Sequence, residues 1–228
     1  YILAMHRLWL STDSIIVDEP VSYTLDHGWV YEPKNFDLQY HWEVTVAQAL
    51  WSSLNIPAVK LLEQVWIWDF LGFLDAVDDF IDIDSDFSDW ASSYWLSLAL
   101  WTKEMSPLIF AQYRRLFLYD KSELSAFPFP LGWFLYDTIR DIKEILANNN
   151  NRVLWFSPNN RLRILWTFAK TWTSRHFKDA WTCWWISDDE LIVCVWAWNY
   201  DARSMRAWWN DIAWPIRNEV VSYIMNVQ

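Results

Sequence analysis

Apolar positions recur at helical spacing through roughly the first two thirds of the chain, then gather into short strand-like runs. Residues 1–10 read as a packed helix. In HWEVTVAQALWSSLNIPAVKLLEQV (residues 41–65), Thr45 followed three positions on by Gln48 is a capping box for a helix reaching about residue 52. Pro57 suits the first turn of a second helix, with Asn55 as its cap. Val59, Leu62 and Val65 line one face of that helix. Ser53-Leu54-Asn55 therefore falls in a tight joint between two helices, where polar side chains can face a cleft. Residues 75–93 are acidic and read as irregular. YWLSLALW (94–101) leads to Ser106-Pro107, a helix start carried on through LIFAQYRRLF. YDTIRDIKEILA (136–147) is a further helical stretch, ended by the asparagines at 148–151.

The pattern then changes period. RILWTFAKTWT (163–173), KDAWTCWWI (178–186) and ELIVCVWAW (190–198) read as strands, the last two flanking SDDE as a hairpin. Residues 212–225 read as a closing helix. Helices, then an antiparallel meander, then a helix predict an α+β fold with helices packed on a sheet. One domain is expected, its helical part at about 1–150 and its sheet and closing helix at about 160–228. Cys183 and Cys194 are equidistant from the centre of SDDE, so a symmetric hairpin sets them opposite each other. A pair of small buried residues is the expectation there, with a disulfide within geometric reach.

Composition narrows the classes. With 228 residues, 54% apolar and 21% charged, the chain reads as globular, with length enough for a well-buried core. A formal net charge of -11 without a basic stripe argues against a nucleic-acid partner. No apolar run approaches the ~20 residues of a membrane span, and no signal peptide is visible. The chain opens on Tyr1 inside a packed segment, which reads as a piece of a longer protein. One feature is abnormal: 21 Trp stand beside only 3 Gly. Average usage would supply about 16 glycines. Trp9 after a helix, Trp42 before one, Trp66 after LLEQV and Trp198 before NYD occupy places where a turn favours glycine.

Two short motifs carry candidate chemistry. In FAKTWTSRHFKDAW (168–181), Lys170, Thr171 and Thr173 stand in K-T-x-T order on a strand. Alternation points Lys170 and Trp172 to one face and the threonines to the other. A lysine with hydroxyls supplies a charge and short donors for a carboxylate. Ser53-x-Asn55 precedes this strand by about 115 residues. Each pattern alone is weak. Together and in this order they resemble two of the three motifs of penicillin-recognising serine enzymes, S-x-x-K, S-x-N and K-T-G.

Longer stretches make the resemblance specific. VYEPKNFDLQYHWEVTVAQALWSSLNIPAVKLLE, YWLSLALW, AKTWTSRHFKDAWT and VCVWAWNYD resemble the transpeptidase domain of bifunctional class A penicillin-binding proteins, nearest the C-type subfamily. The similarity runs from Tyr1 to about Val220. Where that family carries H-G-E-V-T-V, Y-G-L-S-L-A-L-G, K-T-G-T-S and V-W-V-G-N, its glycines are Trp42, Trp95, Trp101, Trp172 and Trp198 here. Trp181 and Trp196 instead match tryptophans that the family keeps. Such replacement is what a wrong codon table produces: UGA is glycine in some bacterial lineages, and a table reading it as tryptophan would write Trp at each one; a genuinely tryptophan-rich protein is the alternative.

The resemblance implies a D,D-transpeptidase that cross-links peptidoglycan stem peptides ending in D-Ala-D-Ala and is acylated by β-lactams. It implies no cofactor and no metal. Ser53 would shuttle a proton toward the leaving group, Asn55 would hold the substrate amide, and Lys170 would support the field around Ser53. Thr171 and Thr173 would bind the terminal carboxylate, beside Trp172 and Ser174 on the same substrate strand. Backbone N–H groups near Thr173 would contribute to the oxyanion hole. No S-x-x-K occurs in the 228 residues. By the resemblance it lies just upstream, so this stretch by itself is expected to be inactive. The full-length protein is expected to be membrane-anchored, to carry a glycosyltransferase domain, and to work at the outer face of the cytoplasmic membrane or in the periplasm, where disulfides are permitted. Other outcomes of the same motifs are a D,D-carboxypeptidase or β-lactam hydrolase, with water as acyl acceptor. A non-catalytic penicillin- or glycan-binding module is the alternative from another class.

Two further features have plain explanations. DIDSDFSD (82–89) is similar to a calcium loop but has Phe87 and Ser93 where such a loop needs Gly and Glu, so a solvated loop is expected. His6, His27, His41 and His176 show no ligand spacing, and His176 reads as a rim residue.

Overall fold

The computed structural model describes residues 1–24, 28–83, 95–100, 106–128, 132–148, 167–173, 178–186, 191–201, 203–205 and 212–227. In chain order the helices are α1 (Ile2–Arg7), α2 (Val46–Trp51), α3 (Asn55–Val65), α4 (Ile67–Ile81), α5 (Pro107–Arg114), α6 (Lys121–Leu124), α7 (Gly132–Ala147) and α8 (Ala213–Val227). The strands are β1 (Ile15–Asp18), β2 (Tyr23–Thr24), β3 (Val30–Tyr31), β4 (Trp42–Thr45), β5 (Thr167–Thr173), β6 (Asp179–Ile186) and β7 (Leu191–Trp198). Short 3-10 turns cover Trp95–Leu100 and Arg115–Phe117. The chain divides into two compact units, Tyr1–Glu104 with Tyr119–Asn160, and Met105–Leu118 with Arg161–Gln228.

The first unit is mainly helical. Thr45 caps α2 as its spacing predicts: its hydroxyl accepts from the Gln48 N–H, and the Gln48 side chain accepts from the Thr45 N–H. Leu135, Ile139, Ile142 and Leu146 repeat at helical spacing along α7 and are all buried. That face packs on α1 and α2, where the Trp51 indole N–H donates to the Leu146 carbonyl at 3.1 Å. Each such aliphatic side chain contributes about 1.5–3 kcal/mol on burial. Phe73 and Phe80 of α4 meet Phe127 edge-on or tilted at 5.9 and 5.3 Å.

Two sequence expectations for this unit need correction, and two strand pairs went unread. Residues 75–81 are helical, the end of α4, although their acidity suggested an irregular segment. Phe73, Leu74, Val77 and Ile81 form a buried stripe, while Asp75 and Asp79, four apart, lie on the exposed side. Asn55 does not cap α3: the cap position is Leu54, and Asn55 is the first helical residue. The antiparallel pairs β1–β4 and β2–β3 were not legible as strands.

The second unit is an antiparallel sheet in the order β5-β6-β7, with α5 and α8 packed on it. This is the α+β arrangement that the pattern predicts. Phe117 and Trp185 lie with ring centroids 5.0 Å apart, Phe168 stacks on Trp185 at 4.8 Å, and Phe110 meets Trp181 at 5.1 Å. Ser106 caps α5 through the Ile109 N–H, with Pro107 in the first turn as expected. The register sets Cys183 opposite Cys194. Here the expectation of two free buried residues fails: the two form a disulfide, with sulfurs 2.01 Å apart. The hairpin register brings the sulfurs within bonding distance.

Candidate active site

The Ser53-Leu54-Asn55 joint is shaped by the end of α2. The Leu54 N–H donates to Ala49 O at 3.0 Å and the Ser53 N–H to Leu50 O at 3.3 Å, a Schellman closure with Ser53 in the left-handed position at φ 54°. This conformation stops the helix and turns the half-buried Ser53 away from the α2 axis. Asn55 then opens α3.

A residue outside the motif holds this joint. The Oδ1 of Asn35 accepts from the Asn55 N–H at 2.9 Å and from the Ile56 N–H at 3.3 Å, satisfying the first amides of α3 that Leu54 cannot cap. The Nδ2 of Asn35 donates to both carboxylate oxygens of Asp18, at 2.9 and 2.7 Å, and to the Gln39 carbonyl at 2.9 Å. Asp18 also accepts from the His41 N–H at 2.9 Å. Asp18 and Asn35 are 0% and 2% exposed, so the carboxylate depends on these donors in place of water. The Asn55 Nδ2 donates to the Lys34 carbonyl at 2.7 Å. Asn55 is thus fixed through both its backbone and its side chain.

In the second unit the K-T-x-T residues lie on β5. This strand pairs with β6 along one edge, and no strand covers its other edge among the described residues. Lys170 is half-buried. Burial and, second, the Arg114 guanidinium draw its ammonium down to about 7. Burial also lowers Arg114, to about 10, while its guanidinium lies over the Phe110 ring at 4.4 Å and the Trp185 ring at 5.9 Å. Lys170 is therefore an amine that can accept or release a proton near neutrality. Thr171 and Thr173 are half-buried, and the Thr173 hydroxyl oxygen is buried with no hydrogen-bond partner among the described residues. Such a hydroxyl calls for a partner, and a ligand oxygen would serve. The backbone of Trp172 pairs with Trp181.

The structure thus holds Ser53 and Asn55 together in one joint of the first unit, and Lys170, Thr171 and Thr173 together on one strand of the second. Ser174, His176, Trp101, the SDDE turn and most of the calcium-like segment lie outside the described residues. Among the described residues no cluster of three or more metal-ligating side chains occurs, and no helix is long and apolar enough to cross a membrane. Sequence reasoning passed over Asp18, Asn35 and Arg114. For Asn35 a signal was present, since it sits inside YEPKNFD; for Asp18 and Arg114 no motif marks them.

No family model and no curated protein sequence matches the chain. Solved structures do. Penicillin-binding protein 2 of Pseudomonas aeruginosa, in complex with WCK 5153, superposes with a TM-score of 0.61 at 12% identity, over 97% of this chain and 58% of that one. Penicillin-binding protein 1A of Haemophilus influenzae gives 0.57 at 16% identity, over 81% of this chain and 34% of that one. Penicillin-binding protein A of M. tuberculosis, solved as an imipenem acyl-enzyme complex, gives 0.57 at 11% identity, over 87% and 52%. The chain accordingly shares the fold of these penicillin-binding proteins. It spans between a third and three fifths of the length of these three structures.

Proposed function

We propose that this chain is D,D-transpeptidase sequence, which in the full-length protein cross-links peptidoglycan stem peptides through an acyl-serine and is acylated by β-lactams. The observation that carries the reading is the K-T-x-T motif on a sheet edge that no strand covers among the described residues, in a fold shared with penicillin-binding proteins. An extended peptide can add to such an edge through main-chain hydrogen bonds. Thr171 and Thr173 would then bind its terminal carboxylate, with Trp172 between them on β5 and Ser174 next in sequence. Asn55 would hold the substrate amide. Ser53 would pass a proton to the departing amine, and Lys170, with its lowered proton affinity, would support that transfer. The serine nucleophile would attack the D-Ala-D-Ala carbonyl and expel the terminal D-Ala. An amine of a neighbouring stem would then take the acyl group and release the serine. The 228 residues contain no S-x-x-K, so the reading draws this serine from sequence outside them. The site of action would be the outer face of the cytoplasmic membrane.

The test uses the full-length gene product and labelled penicillin. A persistent covalent label is expected, with Ser53→Ala and Lys170→Ala each slowing labelling by about 10²-fold or more, the scale of general acid–base catalysis. The double variant should lose far less than the product of the two, because both act on one proton transfer. Absence of label would overturn the reading. Rapid release of the label would make water the acyl acceptor and the protein a hydrolase.

A further inference from the structure

Left-handed backbone positions favour glycine, because a Cβ there crowds the following carbonyl. Non-glycine residues at positive φ are about a few per cent of the total, and bulky ones are outliers. Among the described residues seven non-glycine positions have positive φ, and four of the seven are tryptophan: Trp9 at 54°, Trp42 at 59°, Trp66 at 65° and Trp95 at 39°. Glycine, asparagine or aspartate would be the ordinary choices.

Each position has a local reason to be left-handed. Trp9 follows α1 in the same closure that Ser53 makes after α2: Leu10 N–H donates to Met5 O at 2.9 Å and Trp9 N–H to His6 O at 3.4 Å. Trp66 joins α3 directly to α4 with φ 65° and ψ 136°, outside the left-handed helical well at ψ about +30 to +60°. Trp42 opens β4 beside Asp18, its partner in register. Trp95 opens a 3-10 turn. Three of the four side chains contribute little to packing: Trp9, Trp42 and Trp66 are 81%, 61% and 73% exposed. Trp95 meets only the edge of Tyr23 among the described aromatic contacts, at 5.9 Å.

Other tryptophans differ on both counts. Trp185 is buried, stacks on Phe168 and donates its indole N–H to Arg114 O at 3.0 Å. Trp196 donates to Asp179 at 3.1 Å and stacks on the buried Trp181. None of the three has positive φ. The fold uses these side chains as tryptophan and uses positions 9, 42, 66 and 95 as glycine.

We infer that positions 9, 42, 66 and 95 are glycine in the protein as its own cell makes it, and that tryptophan stands there because UGA codons were read as tryptophan. Positive φ is found at Trp9 and Trp66, which the sequence pattern marks as glycine-like turns and no matched motif covers. The backbone criterion does not decide Trp172 or Trp198, which have ordinary strand backbone. The gene decides those two once the meaning of its UGA codons is known.

The codons and the natural protein test this together. UGA is expected at positions 9, 42, 66 and 95, and UGG at 181, 185 and 196. Peptide mass spectrometry of the protein from its source organism should find glycine masses at the first four and tryptophan masses at the other three. UGG at the four left-handed positions would overturn the inference, as would tryptophan masses there. UGA at 181, 185 and 196 would overturn the division between the two groups. None of these outcomes depends on the proposed enzymatic activity.

Discussion

Lys170 shows how a single residue ties sequence, packing and chemistry together. The motif marks it as a cation for a carboxylate, but in the structure burial and, second, the Arg114 guanidinium weaken its hold on the proton. The unfolded chain would protonate this amine up to about 10.5, and the folded chain only up to about 7. Between those values the unfolded state binds more protons, so stability rises with pH. Below about 7 both states carry the proton, and the folded state bears the whole cost of the buried charge. Lys170→Met should therefore raise stability most at low pH and progressively less as pH climbs through this window. Urea unfolding of both proteins between about pH 6 and pH 9 measures the difference. Parallel curves would show that Lys170 is solvated as an ordinary lysine.

At the scale of elements, the joint between α2 and α3 shows what a sequence discloses and what it hides. The capping box at Thr45 and Gln48 is local, within four residues, so spacing alone places the start of α2. The start of α3 is not local. Its first amides are satisfied by Asn35, 20 residues away, which is itself held by Asp18 on β1. No pattern in a single sequence reports such a contact, and the polar Asn55 beside Pro57 looked like the natural cap. The end of α4 was hidden for another reason: its acids, exposed at Asp75 and Asp79 and buried at Asp78, interrupt the apolar run and mask the helical stripe. The three long strands were legible because their runs are continuous, and β1 was missed because a four-residue edge pair gives almost no periodicity. Asn35→Ala should cost about 2–4 kcal/mol, since it leaves the Asp18 carboxylate and two helix amides short of partners. The exchange Asp18→Asn with Asn35→Asp keeps an acceptor for the α3 amides and a donor between the two side chains. It should recover part of the loss caused by either single change. Chemical denaturation of the four proteins measures the coupling, and additive losses would show that the pair does not act as a unit.

For the molecule as a whole, the four left-handed tryptophans fall in one compact unit, the first. Each costs about 1–2 kcal/mol of backbone strain. Glycine in their place returns about 0.5–1 kcal/mol of that through the greater freedom of the unfolded chain. The net gain on reversal is then roughly 2–4 kcal/mol over four sites, a large share of the ~5–15 kcal/mol that holds a domain folded. Exposed indoles at positions 9, 42 and 66 add sticky surface to a unit already weakened. The sequence as written should consequently express largely as aggregate. The variant Trp9→Gly, Trp42→Gly, Trp66→Gly and Trp95→Gly should raise both the soluble yield and the urea midpoint. Glycine at 185 should do the reverse, because it empties a buried, hydrogen-bonded site in the second unit. Soluble yield and unfolding midpoints of the three proteins decide between strain and ordinary tolerance. If the written sequence unfolds cooperatively and the fourfold variant gains nothing, those backbone positions have no preference for glycine.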